Sequence, residues 1–215
     1  MSSTKLIHRI ICIAILFCAP SAMADNATTQ PAGAKDTFKE YLRDLSQGKP
    51  DQLPDLCSAR DDDSRAIVRD FQAIATAIGH LRAASAKKFG PDAVDMVMPQ
   101  MALPDSADTM TETDKDGVAL LSGPEAGSVQ MISSDGHWKL DMDWLRHNPD
   151  FPSSADYFKL LAQAVQRTAD DIDSGRLDTP QAAIEAMRAR QDGIPDSSPA
   201  TQPTTQPTEQ PTGQP

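Results

Sequence analysis

Hydrophobic positions between residues 36 and 193 follow two periods. From Asp36 to Ser46, Phe38, Leu42 and Leu45 recur at i, i+4 and i+7 with Tyr41 beside them, and Gln47-Gly48 stops the run, which predicts a first helix. Lys49 to Arg60 reads as a loop around Pro50 and Pro54. A long second helix is predicted over Asp63 to Lys88, because Ile67, Phe71, Ile74, Ile78 and Leu81 step by four, three, four and three. Asp61-Asp62-Asp63 lies at its positive end and Lys87-Lys88 at its negative end. The acid triplet therefore reads as helix capping; a calcium loop would spread oxygen ligands over a longer, glycine-containing pattern. Gly90-Pro91 breaks the helix, and Pro91 to Met98 predicts a short third one with Ala93, Val94, Val97 and Met98 inward.

From Ala107 the period turns to alternation. Strands are expected over Thr109–Thr113, Gly117–Leu121 and Ser128–Ser134, with Gly123-Pro124-Glu125 supplying a turn. Asp135-Gly136 predicts a tight hairpin into a strand running from His137 to Leu145. On that strand Trp138, Leu140, Met142 and Trp144 share one face, and His137, Lys139, Asp141 and Asp143 the other. Four large apolar side chains on one face require a covering layer, and the long second helix is the expected cover. Past Pro149 and Pro152, a helix from Ser154 to about Ser174 turns Tyr157, Leu161, Ala164, Val165, Thr168 and Ile172 inward. Thr179-Pro180 opens a last helix with Ala183, Ile184 and Met187 apolar, closed by Gly193. The expected fold class is α+β: N-terminal helices packed on a curved antiparallel β-meander, followed by a C-terminal helical hairpin packed on the domain.

The two ends follow other rules. Residues 1–24 combine Lys5, His8 and Arg9, an apolar run from Ile10 to Ala19, and the small-x-small sequence Ala22-Met23-Ala24, which reads as a signal peptide cut before Asp25, with a cut after Ala22 as the alternative. Residues 25–35 read as a disordered linker, 36–146 as the α+β domain, 147–193 as the helical hairpin, and 194–215 as a disordered, low-complexity Pro/Thr/Gln tail. The tail repeats Gln-Pro-Thr every four residues from Gln202 and holds six of the 17 prolines. It reads as a solvated spacer, with a glycosylated Thr/Pro stalk as the alternative; Asn26-Ala27-Thr28 is a weak sequon.

Composition narrows the function. The chain has 215 residues and a formal charge of −11, and loss of residues 1–24 takes this to −13. Such a chain repels phosphate backbones, so no nucleic-acid partner is expected. No apolar run after the leader is long enough to span a membrane. Localisation is read as secreted or periplasmic in a bacterium. Cys12 and Cys18 leave with the leader, so Cys57 has no disulfide partner within the chain and reads as a small buried hydrophobe rather than a nucleophile. Met96, Met98, Met101 and Met110 are irregularly spaced and read as core filling rather than a copper cluster. No phosphate-binding glycine loop, Gly-x-Ser-x-Gly elbow, His-Glu-x-x-His or paired Cys-x-x-Cys occurs. No metal and no cofactor is expected. His80, beside the apolar stripe of the second helix, reads as a helix-edge residue. The row His137, Lys139, Asp141, Asp143 reads as a solvated sheet face, with an acid/base pair as the competing use.

The order of elements carries a resemblance. A first helix ending in Ser46-Gln47-Gly48-Lys49, a long helix ending in Lys88-Phe89-Gly90, and a meander closing on Gly136-His137-Trp138-Lys139-Leu140-Asp141 resemble the nuclear-transport-factor-like (cystatin-like, cone-shaped α+β) superfamily over residues 36–146, especially its small exported bacterial members of unknown function. The resemblance implies a cavity between sheet and helices, where ketosteroid-isomerase-like enzymes of the superfamily place an acid and a hydroxyl. Here the inward positions are apolar apart from Tyr41, and no catalytic residue carries over by motif. The sequence is therefore read as a non-catalytic binding or structural module. Trp138, Leu140, Met142, Trp144 and Tyr41 are its candidate ligand-binding residues. A small apolar molecule, a peptide or an envelope component is the expected partner, and a homodimer through the open sheet face a further one. The alternative is a small hydrolase or isomerase using Asp141, Asp143 or His137.

Overall fold

The computed structural model describes residues 33–98, 103–123, 127–149, 151 and 155–194. The expected leader and sequon, Met101, Pro124-Glu125 and the proline-rich tail lie outside the described residues. In chain order the elements are α1 (Ala34–Gln47), a 3-10 turn (Leu53–Leu56), β1 (Cys57–Ser58), α2 (Asp62–Phe89), α3 (Asp92–Val97), α4 (Leu103–Asp108), β2 (Thr111–Lys115), β3 (Val118–Gly123), β4 (Gly127–Ser134), β5 (His137–Asp141), α5 (Met142–His147), α6 (Ala155–Asp173) and α7 (Pro180–Asp192). The fold is α+β, with one open five-stranded sheet of order β1-β5-β4-β3-β2 and a C-terminal helical part. Every pairing is antiparallel except β1 with β5, which is parallel.

Register builds the inner face. Cys57 pairs with Leu140, Leu140 with Met131, and Met131 with Ala119, so one buried row crosses four strands. Two-residue turns, Asp116-Gly117 and Asp135-Gly136, join the hairpins with positive φ at all four positions, as the Asp-Gly pairs require.

Three expectations are corrected. First, the strand from His137 ends at Asp141, and Met142–His147 forms α5. Asp141 accepts hydrogen bonds from the backbone N–H groups of Asp143 and Trp144, each at 3.1 Å, and so caps a new helix. Met142 and Leu145, three apart, are its buried face. Asp141, expected on a solvated face, is 2% exposed. Second, α1 is the helix that lies on β4 and β5, while α2 packs along α6. The lengths explain this. Twenty-eight residues of α2 make a rod of about 42 Å, against strands of about 17–27 Å. The 19-residue α6 matches it better. Because α1 is buried around a wide arc, including Phe38, Tyr41, Leu42 and Leu45, it fits between sheet and α2. Third, the 49–60 loop contains the 3-10 turn and β1, and the strand expected from Thr109 starts at Thr111, after α4 ends at Asp108.

The point where α1 meets α2 is fixed by two glycines. Gly48, the left-handed C-cap of α1, lies so close to Gly79 that a Cβ on Gly48 would come within 2.4 Å of the Gly79 Cα. Phe71 then joins the layers, with ring centroids 5.9 Å from Tyr41 on α1 and 5.2 Å from Phe158 on α6. Leu161, Val165, Ile172, Ala183 and Met187 belong to the same buried cluster as Leu81 and Leu140, so the C-terminal helices share the core.

Candidate functional site

The five residues read as ligand-binding are placed unequally. Leu140 and Met142 are fully buried, whereas Trp138 and Trp144 are half-buried against the core from a strand and a helix respectively. Tyr41 stacks on Phe38 with ring centroids 6.3 Å apart and meets Phe71 edge-on. Its hydroxyl has no hydrogen-bond partner among the described residues, and burial, then the nearby Cys57 thiol, raises its pKa well above that of an ordinary phenol. Burial likewise pushes the Cys57 thiol up to about 12, against a smaller opposing pull from Lys139. The thiol is therefore protonated and inert at neutral pH.

Asp141 and Asp143 are brought together at the C-terminal end of β5, and Arg60, absent from the sequence-based candidates, bridges them. Its guanidinium donates to Asp143 Oδ2 at 2.7 Å and lies 3.6 Å from Asp141. The buried Ser64 hydroxyl donates to Asp143 Oδ1 at 2.6 Å, and Gln130 donates to Asp141 Oδ2 at 2.9 Å. Burial tends to raise the Asp143 pKa, but hydrogen bonds from the Arg60 side chain, Ser64 and the Arg60 amide outweigh it and hold the carboxyl down at about 2. A carboxylate so strongly held is a poor proton acceptor at neutral pH. His137 lies at the far end of β5, about 14 Å away along the strand, and is exposed. The cluster's geometry is that of a clasp: Asp61 caps α2 through the Ser64 N–H at 2.7 Å, and Arg146 of α5 pairs with Asp61 and Asp63. The sequence signal was the acid triplet; Arg146 answers it from 83 residues away.

A second polar group lies on the helical side. His80 on α2 faces Asp173 at 3.0 Å through Nε2 and Asp170 at 3.8 Å through Nδ1, with Lys87 also on Asp173. The two carboxylates lie on opposite ring nitrogens, so they do not converge on one point as metal ligands would. Beside them runs an open groove of about 560 Å³ between α2 and α6, lined by Ala73, Ala77, Ala162, Thr76, Gln163 and Arg167 among others.

The outer face of the sheet is different. Val118 and Leu120 of β3 are 40% and 38% exposed, and Ile132, paired with Val118 across β4, is half-buried beside them. Every residue of β2 is exposed. The run Val118-Ala119-Leu120-Leu121 carried the signal: four consecutive apolar residues on a strand put two on each face, and only Ala119 and Leu121 face the core. No family model, curated protein or solved structure matches this chain.

Proposed function

We propose that the chain is an exported, non-catalytic interaction module, of nuclear-transport-factor-like plan, whose working surface is the outer face of the meander. The exposed pair Val118 and Leu120 carries the reading, because two large apolar side chains on an open sheet face favour a contact partner. The placement of the acids supports it: Asp141, Asp143 and Asp61 are committed to helix N-termini and arginines rather than held ready for proton transfer. α1 contacts β4 and β5, and the exposure of Val118 and Leu120 on the opposite side of β3 supports a contact there. On this reading the mature chain begins at Asp25 in the periplasm or outside the cell.

The test is the double substitution Val118→Asp/Leu120→Asp in the full-length chain produced by an exporting bacterial host. Exposed positions tolerate such changes within about 1 kcal/mol in total, so melting temperature is expected to hold within a few degrees. The assembly size of the exported protein, read by native mass spectrometry, is expected to fall to the bare monomer. An unchanged assembly, or a wild type that is already a bare monomer, would count against the reading.

A further inference from the structure

We infer that the free edge of β2 accepts an extended, basic peptide segment as a sixth strand of the sheet; this rests on the outer-face reading above and names the partner's chemistry. Among the described residues β2 is paired only with β3, through five registered residue pairs from Thr111–Ser122 to Lys115–Val118, and no described strand pairs with its other side. The two-residue turn Asp116-Gly117 closes on Lys115 and Val118, a hydrogen-bonded pair in this turn class. Strict alternation then leaves the N–H and C=O groups of Glu112 and Asp114 pointing away from β3. Those are the groups that an added strand takes up.

Side chains on the same residues set the partner's charge. Glu112 and Asp114 project from one face about 7 Å apart, and neither has a side-chain partner among the described residues. An incoming strand would set residues i and i+2 directly opposite them, and Lys or Arg there pairs favourably across the strands. On the other face Thr113 stands beside Leu120, its cross-strand neighbour, so the intervening residue of the partner extends the exposed apolar patch when it is Val or Ile. The recognised segment is thus basic–β-branched–basic in extended form.

Other occupants fit worse. In a two-fold antiparallel pair of β2 edges centred on Thr113, Glu112 of each copy faces Asp114 of the other, placing four acids in register. Residues 25–33 and 195–215 hold no Lys or Arg, and the latter carry a proline at least every fourth position. Neither flanking segment supplies the required charge.

The probe is the synthetic peptide Gly-Ser-Thr-Arg-Val-Arg-Thr-Ser-Gly, titrated into the isotope-labelled mature chain and followed by amide chemical shifts and hydrogen exchange. Saturable shifts confined to β2 and β3, with new protection of the Glu112 and Asp114 amides, are the expected result. Glu112→Gln/Asp114→Asn weakens binding roughly five- to tenfold. Glu112→Pro, which removes an outward N–H while leaving the ladder to β3 intact, abolishes it without loss of the cooperative melt. The inference is overturned by absent or non-saturating shifts. It is also overturned if the same peptide with Pro in place of Val binds equally, which would mean charge attraction without strand addition, or if the free chain proves dimeric through β2. Should Val118→Asp/Leu120→Asp dissolve the native assembly while the peptide fails to bind, the outer face stands and strand addition alone falls.

Discussion

Placing a methyl group on Gly48 tests the packing that sets which face of the sheet is free. Gly48 has φ +74°, a left-handed conformation that costs an L-residue about 1 kcal/mol. The added Cβ would also lie 2.4 Å from both the Cα and N of Gly79 and 3.0 Å from the Ala75 carbonyl oxygen, all backbone atoms that cannot rotate aside. Restoring ordinary contact requires α1 and α2 to part by about 1 Å, and overpacking of this kind costs about 1–3 kcal/mol. The total for Gly48→Ala is therefore about 2–4 kcal/mol, or a fall in melting temperature of about 6–12 °C for a chain of this size. Gly136→Ala is the matched control: its φ is +79° but nothing lies within 4 Å of the new Cβ. That variant should lose only the conformational part, about 1 kcal/mol and about 3 °C. Calorimetry of both variants measures the difference, and equal losses would refute the close approach of α1 to α2.

Two further outcomes follow from the buried polar groups. Asp143 has a folded pKa of about 2, below the ordinary carboxylate value of about 3.9, so the folded state holds fewer protons than the unfolded state. Its contribution is complete above about pH 4 and is lost as pH falls through 2; with Arg60 largely in solvent it amounts to about 1 kcal/mol. Asp143→Asn should thus lower stability in urea at pH 7, with the gap narrowing from about pH 4 and closing only below about pH 2, and a constant gap across that range would contradict the clasp. Cys57, 7% exposed and with its thiol pushed up to about 12, should resist aromatic disulfide reagents at pH 8 in the folded chain and react at once in denaturant. Immediate labelling of the native protein would place the β1–β5 edge in solvent.

Helices were legible where apolar positions recurred at helical spacing. Ala93, Val94, Val97 and Met98 are all buried as their spacing predicts, and Asp61 caps α2 as the acid triplet implies. The alternation Trp138-Leu140-Met142-Trp144 misled because a period of two and a period of 3.6 overlap over so few residues. Leu145, three after Met142, and Asp141 as an N-cap were the discriminating residues, and they decide for a helix. The exchange of α1 for α2 as the cover of the sheet was beyond local patterning, because both helices are amphipathic and only their lengths and the Gly48–Gly79 approach choose between them. Arg60, Ser64 and Gln130 were silent in the sequence for a similar reason: polar residues reveal a shared role only once distant segments meet.

Photo-crosslinking from defined positions in the chain tests most directly the proposal that the outer sheet face, and not the helical groove, meets a partner. A benzophenone side chain at 118 or 120 is expected to give one discrete adduct in the native host, while the same group at 73 or 163, in the groove between α2 and α6, gives none. Adducts from the groove positions with none from 118 and 120 would contradict the account.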